Sequence, residues 1–360
     1  MKLIKYFALA LGVVAFAACG NESTEAPKKE ENKITLTANN TSVEVNTPIT
    51  FTVMDNLGND LTADAVILDK SHDYNEVTNP FIPTTDGEYI FIASVNNMIA
   101  PQCKVDVVPT IPALPADSNP TSTSFHHRIL LVDHTGNTCG ACPNMMRALK
   151  EVAETEGYHE KYYEAMAHTY SSSDPAASSA AGGVSSHFGV NQYPTLTYNF
   201  YHPTKSSPTA SHIMGQINSL WKAQGADAGI AASASFATSS VVVNIEVKAA
   251  VENDYSVTAW LLEDGIYAQQ TNATEEWMNT HDNAIRQRVE SDAISGINLG
   301  TIAAGQTKST AVVLKITGKD WVRDNMKVLI IASAKNSNGK FEVANVVTCP
   351  IGDSVSYEYL

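Results

Sequence analysis

The chain is short of positive charge, of cysteine and of long apolar runs, and each shortage excludes something. Its 360 residues carry 23 Lys and Arg against 38 Asp and Glu, a formal net charge of −15. A surface that acidic repels nucleic acid and anionic lipid headgroups and favours solubility, so no nucleic-acid partner is expected. Only five cysteines occur, and only one CxxC pair among them. A four-ligand zinc site would need a second pair or several histidines, and although His126, His127, His134 and His168 lie near the pair in sequence, no metal and no cofactor is expected. Beyond the first eighteen residues no segment reaches the ~20 apolar residues that a spanning helix requires. No internal repeat is present.

The first residues point to a compartment. Lys2 and Lys5 give a positive start, Phe7 to Ala18 is apolar, and Ala17-Ala18-Cys19-Gly20 ends a small-residue stretch in cysteine. This reads as a signal peptide over 1–18, cleaved before Cys19, with lipid then attached to the Cys19 thiol in the bacterial lipoprotein pattern. The other reading is an ordinary cleavage site beside an unrelated cysteine. The lipid reading makes the membrane a partner through Cys19 and expects an outer-membrane lipoprotein, on the periplasmic face or the cell surface, in an oxidising space. Loss of Lys2 and Lys5 leaves 21 basic against 38 acidic residues, −17. Residues 19–32 are polar, contain Pro27 and read as a flexible tether.

The rest divides by periodicity. From 33 to 108 apolar residues alternate, as in Ile34-Leu36, Ile49-Phe51-Val53 and Val105-Val107, with turn signals at Asn56 to Asn59 and Thr85 to Glu88. Short strands at that spacing predict a small antiparallel sandwich, and Asp86-Gly87-Glu88-Tyr89 resembles the turn before a tyrosine corner in immunoglobulin-like folds. Prolines 109, 112, 115 and 120 mark a semi-rigid linker over 109–124. The segment 125–225 reads as strand (128–134), helix (142–155), strand (161–168), helix (175–188), strand (195–200) and helix (209–224). Alternation returns over 226–360 and predicts a second β-sandwich.

The chemistry-bearing motif is Cys139-Gly140-Ala141-Cys142. The apolar run Ile129 to Val132 precedes it and a helical pattern at Met145, Met146, Leu149 and Val152 follows. A dithiol at a strand-to-helix turn sits where free backbone N–H groups and the helix dipole stabilise a thiolate. In that reading Cys139 attacks, Cys142 resolves the mixed disulfide, and Asp133 takes the proton from Cys142 if burial raises its pKa. The bland alternatives are a permanent disulfide in a short loop and a strand-end aspartate bonded to backbone.

Asp133 six residues before Cys139, the CxxC pair, and Gly189-Val190…Tyr193-Pro194-Thr195-Leu196 together resemble the thioredoxin superfamily over about 100 residues. That resemblance implies a thioredoxin-like α/β domain over 125–225, a cis bond at Pro194 packed on the CxxC turn, and a peptide surface formed by Tyr193, Pro194 and Thr138. Thr138 stands where the superfamily usually has Trp, which reduces the docking surface. The lipobox, Asp133-His134-Thr135-Gly136…Cys139-Gly140-Ala141-Cys142-Pro143, Leu261 to Ile266 and His281 to Arg286 look like the outer-membrane-protein-twenty-eight-related lipoproteins. The expected fold is thus multidomain α+β: an N-terminal immunoglobulin-like sandwich, the thioredoxin-like domain and a C-terminal sandwich. Two functions stay open. One is a lipid-anchored thiol-disulfide oxidoreductase acting on protein thiols or disulfides. The other is a non-catalytic surface lipoprotein that binds a protein or glycan through its β domains. Cys103 and Cys349 read as buried free thiols or a cross-domain bridge, His281 and Arg286 as a loop anchor or site lining, and Trp260 and Trp277 as core or a sugar platform.

Overall fold

The computed structural model describes residues 32–200, 202–205, 208–289, 294–316 and 320–360. The expected signal segment, Cys19 and the tether up to residue 31 lie outside them. Among the described residues no helix is long and apolar enough to cross a membrane.

In the N-terminal unit, Ile34–Ala38 pairs antiparallel with Phe51–Asp55. A second sheet runs in the order Ser42–Glu44, Cys103–Val108, Gly87–Val95, Val66–Asp69, Asn75–Glu76, with Met98–Ile99 beside Gly87–Val95. Period-two alternation turns Tyr89, Phe91, Ala93 and Val95 inward. They meet Ile34, Leu36, Phe51 and Val53 in one core, with the Phe51 and Phe91 rings 4.6 Å apart. The Tyr89 hydroxyl donates back to the Thr85 carbonyl at 3.1 Å, which closes the Asp86-Gly87 turn.

The proline-rich stretch does not hang free. Asn244 donates to the Pro112 carbonyl at 2.9 Å, and the buried Lys248 ammonium reaches the Pro120 carbonyl at 2.7 Å and Asp117 at 3.0 Å. Prolines give up donors but keep carbonyl acceptors, and donors on the strand Ser240–Ala249 use them.

The remainder is built on one nine-stranded mixed sheet. Its order is His202–Lys205, Thr195–Tyr198, Ile129–Thr135, Tyr162–His168, Ala284–Arg288, Asn253–Glu263, Met326–Lys335, Phe341–Pro350, with Ile297–Ile302 also on Asn253–Glu263. Tyr162–His168 is parallel to both of its neighbours, and the other pairings are antiparallel. Three α-helices cover part of it among the described residues: α1 (Cys142–Glu154), α2 (Ser179–His187) and α3 (Ala210–Leu220). Ile129 and Leu131 turn to α1 and α3, whereas Leu130 and Val132 turn to α2 together with Trp260 and Leu262. Tyr255, Val257, Ala259 and Leu261 pack on a four-stranded sheet ordered Thr307–Lys315, Ser240–Ala249, Ala228–Phe236, Ser354–Val355.

This architecture corrects the expected fold class. The strands and helices of 125–225 fall within a few residues of their expected places, but they do not make a thioredoxin-like α/β domain flanked by a separate sandwich. The fold is a multidomain β-rich one. The cause lies at the strand Tyr162–His168. Its second edge is not free: it pairs in parallel with Ala284–Arg288 through Met166 opposite Ala284, and the Met166 N–H donates to the Asn283 carbonyl at 2.8 Å. Burying that edge removes a row of unpaired backbone groups and fuses the middle segment to the C-terminal strands.

Candidate functional site around the Cys139–Cys142 turn

The strand Ile129–Thr135 is buried along its whole length and delivers the chain to a tight turn. There the Cys139 N–H bonds the Gly136 carbonyl at 3.0 Å, and the Cys142 N–H bonds the Cys139 carbonyl at 3.2 Å. Cys142 opens α1 with Pro143 in its first turn, a place where the missing N–H costs no intrahelical bond. Cys139 and Cys142 form a disulfide. Both are shut in: Cys139 is 2% exposed and Cys142 0%.

What covers them comes from about 130 residues further along the chain. The connection 268–279, between Asn253–Glu263 and Ala284–Arg288, lies across the turn. The Thr271 N–H donates to the Asn137 carbonyl at 2.7 Å, the Gln270 side-chain amide to the Cys139 carbonyl at 3.0 Å, and the Asn272 amide to the Gly140 carbonyl at 3.0 Å. Arg147 of α1 donates to the Thr274 hydroxyl at 2.9 Å. The fit is close: a Cβ on Gly140 would stand 2.8 Å from the Asn272 amide nitrogen. The loop also closes on itself, since Asn279 accepts from the Gln270 N–H at 2.9 Å and its carbonyl accepts from the Ala268 N–H. Sequence reasoning missed Gln270 and Asn272 because no local signal ties a polar loop to a turn so far away.

Asp133 sits mid-sheet, fully buried, with no hydrogen-bond partner for either carboxylate oxygen among the described residues. Burial, and then the nearby Glu164, holds its pKa well above the usual carboxylate range. Glu164 is itself pushed up to about 7 by burial and Asp282, with Lys327 opposing. Thr138 is exposed beside the pair. The Tyr193–Pro194 bond is cis, Pro194 is buried, and the Tyr193 hydroxyl meets the Thr169 hydroxyl at 3.0 Å.

A second polar group flanks the turn. Asp174 accepts from His168 Nδ1 at 2.8 Å and from the Asn137 N–H at 2.7 Å, so it fixes the approach to Cys139. Burial works against its ionisation. The bonds from His168, Asn137 and Ala176 outweigh that penalty and hold its pKa at about 2. The His281 ring lies edge-on to His168 at 4.9 Å, and its Nε2 pairs with the Ala268 carbonyl at 3.1 Å, tying the start of the covering loop. Arg286 lies 2.8 Å from Glu263 and donates to the Pro175 carbonyl at 2.8 Å, which makes it an anchor of the segment before α2.

The other sequence candidates are scattered. His134 bonds Ser185 at 2.8 Å, and burial lowers its pKa to about 3; His127 accepts from the Lys222 N–H at 3.0 Å. Trp260 is fully buried, whereas Trp277 is half-buried in the covering loop and donates to Glu275 at 2.9 Å. Cys103 and Cys349 are free thiols, half-buried and buried, and burial raises the pKa of each.

No family model and no curated protein matches the chain. Weak similarity links it to the adhesin InvE of Yersinia pseudotuberculosis (TM-score 0.18, 9% identity, 88% of this chain and 58% of that one). It is also weakly similar to domains 4–9 of the surface layer protein SbsC (TM-score 0.17, 10% identity, 90% and 51%). Scores that low carry no argument. Among solved structures the chain is similar to HBP35 of Porphyromonas gingivalis, with a TM-score of 0.55 and 15% identity over 66% of this chain and 78% of that one, a likeness that concerns the fold alone.

Proposed function

We propose that this chain is a non-catalytic surface protein that binds a partner through its β-rich body, held at a bacterial outer membrane by lipid on Cys19. In this reading the Cys139–Cys142 disulfide is a structural clasp. The observation that carries it is the cover over the pair. Thiols that exchange disulfides sit in partly exposed, electropositive surroundings. Here both sulfurs are buried, Gln270 and Asn272 occupy the carbonyls of Cys139 and Gly140, and Arg147 is tied to Thr274. The surplus of acid over base supports solubility outside the cell rather than work on nucleic acid. The lipobox and the resemblance of Leu261 to Ile266 to the lipoprotein family support the anchor.

Two measurements test this. Cys19→Ala should give a form that no longer partitions into detergent as a processed protein; unchanged partitioning contradicts the anchor. The reduction potential of the pair should lie below about −300 mV, the range of structural bridges, and a value near −120 to −270 mV would mark a working couple instead.

A further inference from the structure

The N-terminal unit has two unlike ends. The Phe51 and Phe91 rings pack at 4.6 Å, and on one side of them Tyr89 meets Phe81, which bridges to Ile49. Phe51–Asp55 and the second half of Gly87–Val95 therefore leave that contact towards the same end. The chain enters there: Ile34 stands opposite Asp55, and the Asn56 N–H donates to the Lys33 carbonyl at 3.0 Å. At the other end Cys103–Val108, antiparallel to Gly87–Val95, runs out into Pro109, and Asp86 accepts from the Thr238 N–H at 2.8 Å. The body of the molecule thus joins the end opposite to the one where the chain enters.

The entry end presents apolar side chains on fixed turns. Leu57 is 70% exposed, and its turn is held because Asp55 accepts from the Leu57 and Asn59 N–H groups at 2.9 and 2.8 Å. Ile99 is 69% exposed beside Asn96-Asn97, whose φ values of 49° and 60° are those of a tight hairpin turn that asparagine tolerates. Val66, 40% exposed, and Ile99 flank Ser94 on its two sides. Single apolar residues on a surface are ordinary, but three at one end, on turns that hold them outward, mark a face that docks.

The chain before this end indicates the occupant. From Cys19 to Asn32 it can span at most about 45 Å, so lipid on Cys19 keeps the entry end close to the bilayer and leaves the body beyond it. Asp60 and Asp64 are exposed at the same end and repel anionic headgroups, which leaves a surface without net charge as the fitting one. Apolar side chains seated at the boundary between headgroups and acyl chains add binding in proportion to the area they bury.

We propose that this end docks on a zwitterionic phospholipid surface through Leu57, Val66 and Ile99, so that the body points away from the membrane. The assignment deepens the partner-binding reading and rests on its lipid anchor at Cys19.

The test separates the surface from the anchor. The chain from residue 20 to 360, disulfide intact and without lipid, is sedimented with vesicles of phosphatidylcholine or of phosphatidylglycerol. It should bind phosphatidylcholine, and phosphatidylglycerol at least about threefold more weakly. Leu57→Ser combined with Ile99→Ser should weaken binding to phosphatidylcholine by about tenfold or more. Tyr74→Ser should leave binding unchanged, because Val66–Asp69 runs away from the entry end and carries the exposed Tyr74 to the opposite one. All variants should keep the melting temperature of the parent. The proposal is overturned if the chain ignores phosphatidylcholine, if it prefers phosphatidylglycerol, or if the double variant binds as the parent does. It is also overturned if gel filtration shows a concentration-dependent dimer that the double substitution abolishes while vesicles are not bound, since the face then pairs with a second copy. The lipid plays no part in this measurement: unchanged detergent partitioning of Cys19→Ala sinks the anchor alone, and an unbound lipid-free chain sinks the docking face alone.

Discussion

At the scale of single residues, the carboxylates around the turn divide into two groups that answer pH in opposite directions. Glu164 has a pKa near 7 in the native chain against an ordinary value of 4.5, and that of Asp133 is raised as well. Between the unfolded and native values the folded chain keeps protons that the unfolded chain has released, so stability falls as pH rises through that window. Asp133→Asn replaces a buried carboxyl that keeps its proton in the native chain with a neutral group that cannot ionise. It should raise stability at pH 8, leave it little changed at pH 3, below the ordinary carboxylate value, and flatten the decline between them in urea melts. Equal effects at both values would mean that Asp133 titrates in the native chain as it does in the unfolded one. Asp174 behaves in reverse. Its native pKa of about 2 lies below the ordinary 3.8, so its contribution is complete above about pH 4 and is lost as pH falls towards 2. Asp174→Asn should therefore cost stability at neutral pH and weaken the acid dependence, because the Asn137 and Ala176 N–H groups and His168 all use that carboxylate.

At the scale of elements, the loop 268–279 is the part that defines the site, and its contacts can be removed one at a time. Asn272→Ala deletes one hydrogen bond to the turn, worth about 1 kcal/mol net, and Gly140→Ala forces Asn272 aside. Either change should speed hydrogen exchange across 268–279 and across the 136–142 turn while leaving the core strand 129–135 protected. Unchanged exchange at both segments would show that the loop is held by other contacts. The sequence made the local half of this site legible. The apolar run before Cys139, the helical spacing at Met145, Leu149 and Val152, and Pro143 at a helix start all predict the strand, turn and helix that are present. Gln270, Asn272 and Asp174 were not legible. Their role depends on sheet pairing that brings distant segments together, and an amide or a lone aspartate in a polar stretch carries no periodic signal. The strand Tyr162–His168 misled for a related reason. Its residues specify a strand, but nothing in Tyr162 to His168 says that its second edge meets Ala284–Arg288 rather than solvent.

At the scale of the whole molecule, that shared edge decides what can fold alone. A fragment of 125–225 would expose the edge of Tyr162–His168 and the faces of Leu130 and Val132 that pack with Trp260, Leu262 and Leu329. It should be aggregated or unfolded by circular dichroism and gel filtration, whereas 109–360, which keeps the whole sheet and the docked proline-rich stretch, should fold cooperatively. A stable, monomeric 125–225 fragment would restore an independent middle domain. If the buried, loop-covered Cys139–Cys142 pair is a clasp and the molecule a binding protein, as proposed, both sulfurs stay closed to reagents in the native state, and thiol accessibility tests this most directly. Native protein is held in glutathione buffers of stepped potential, quenched with an alkylating reagent and read by mass at Cys139 and Cys142. The clasp reading predicts no labelling of either cysteine until the buffer is poised below about −300 mV, and Asn272→Ala should move that threshold upward. Labelling of Cys139 at potentials between about −120 and −270 mV in the unaltered protein would contradict it and return the pair to redox chemistry.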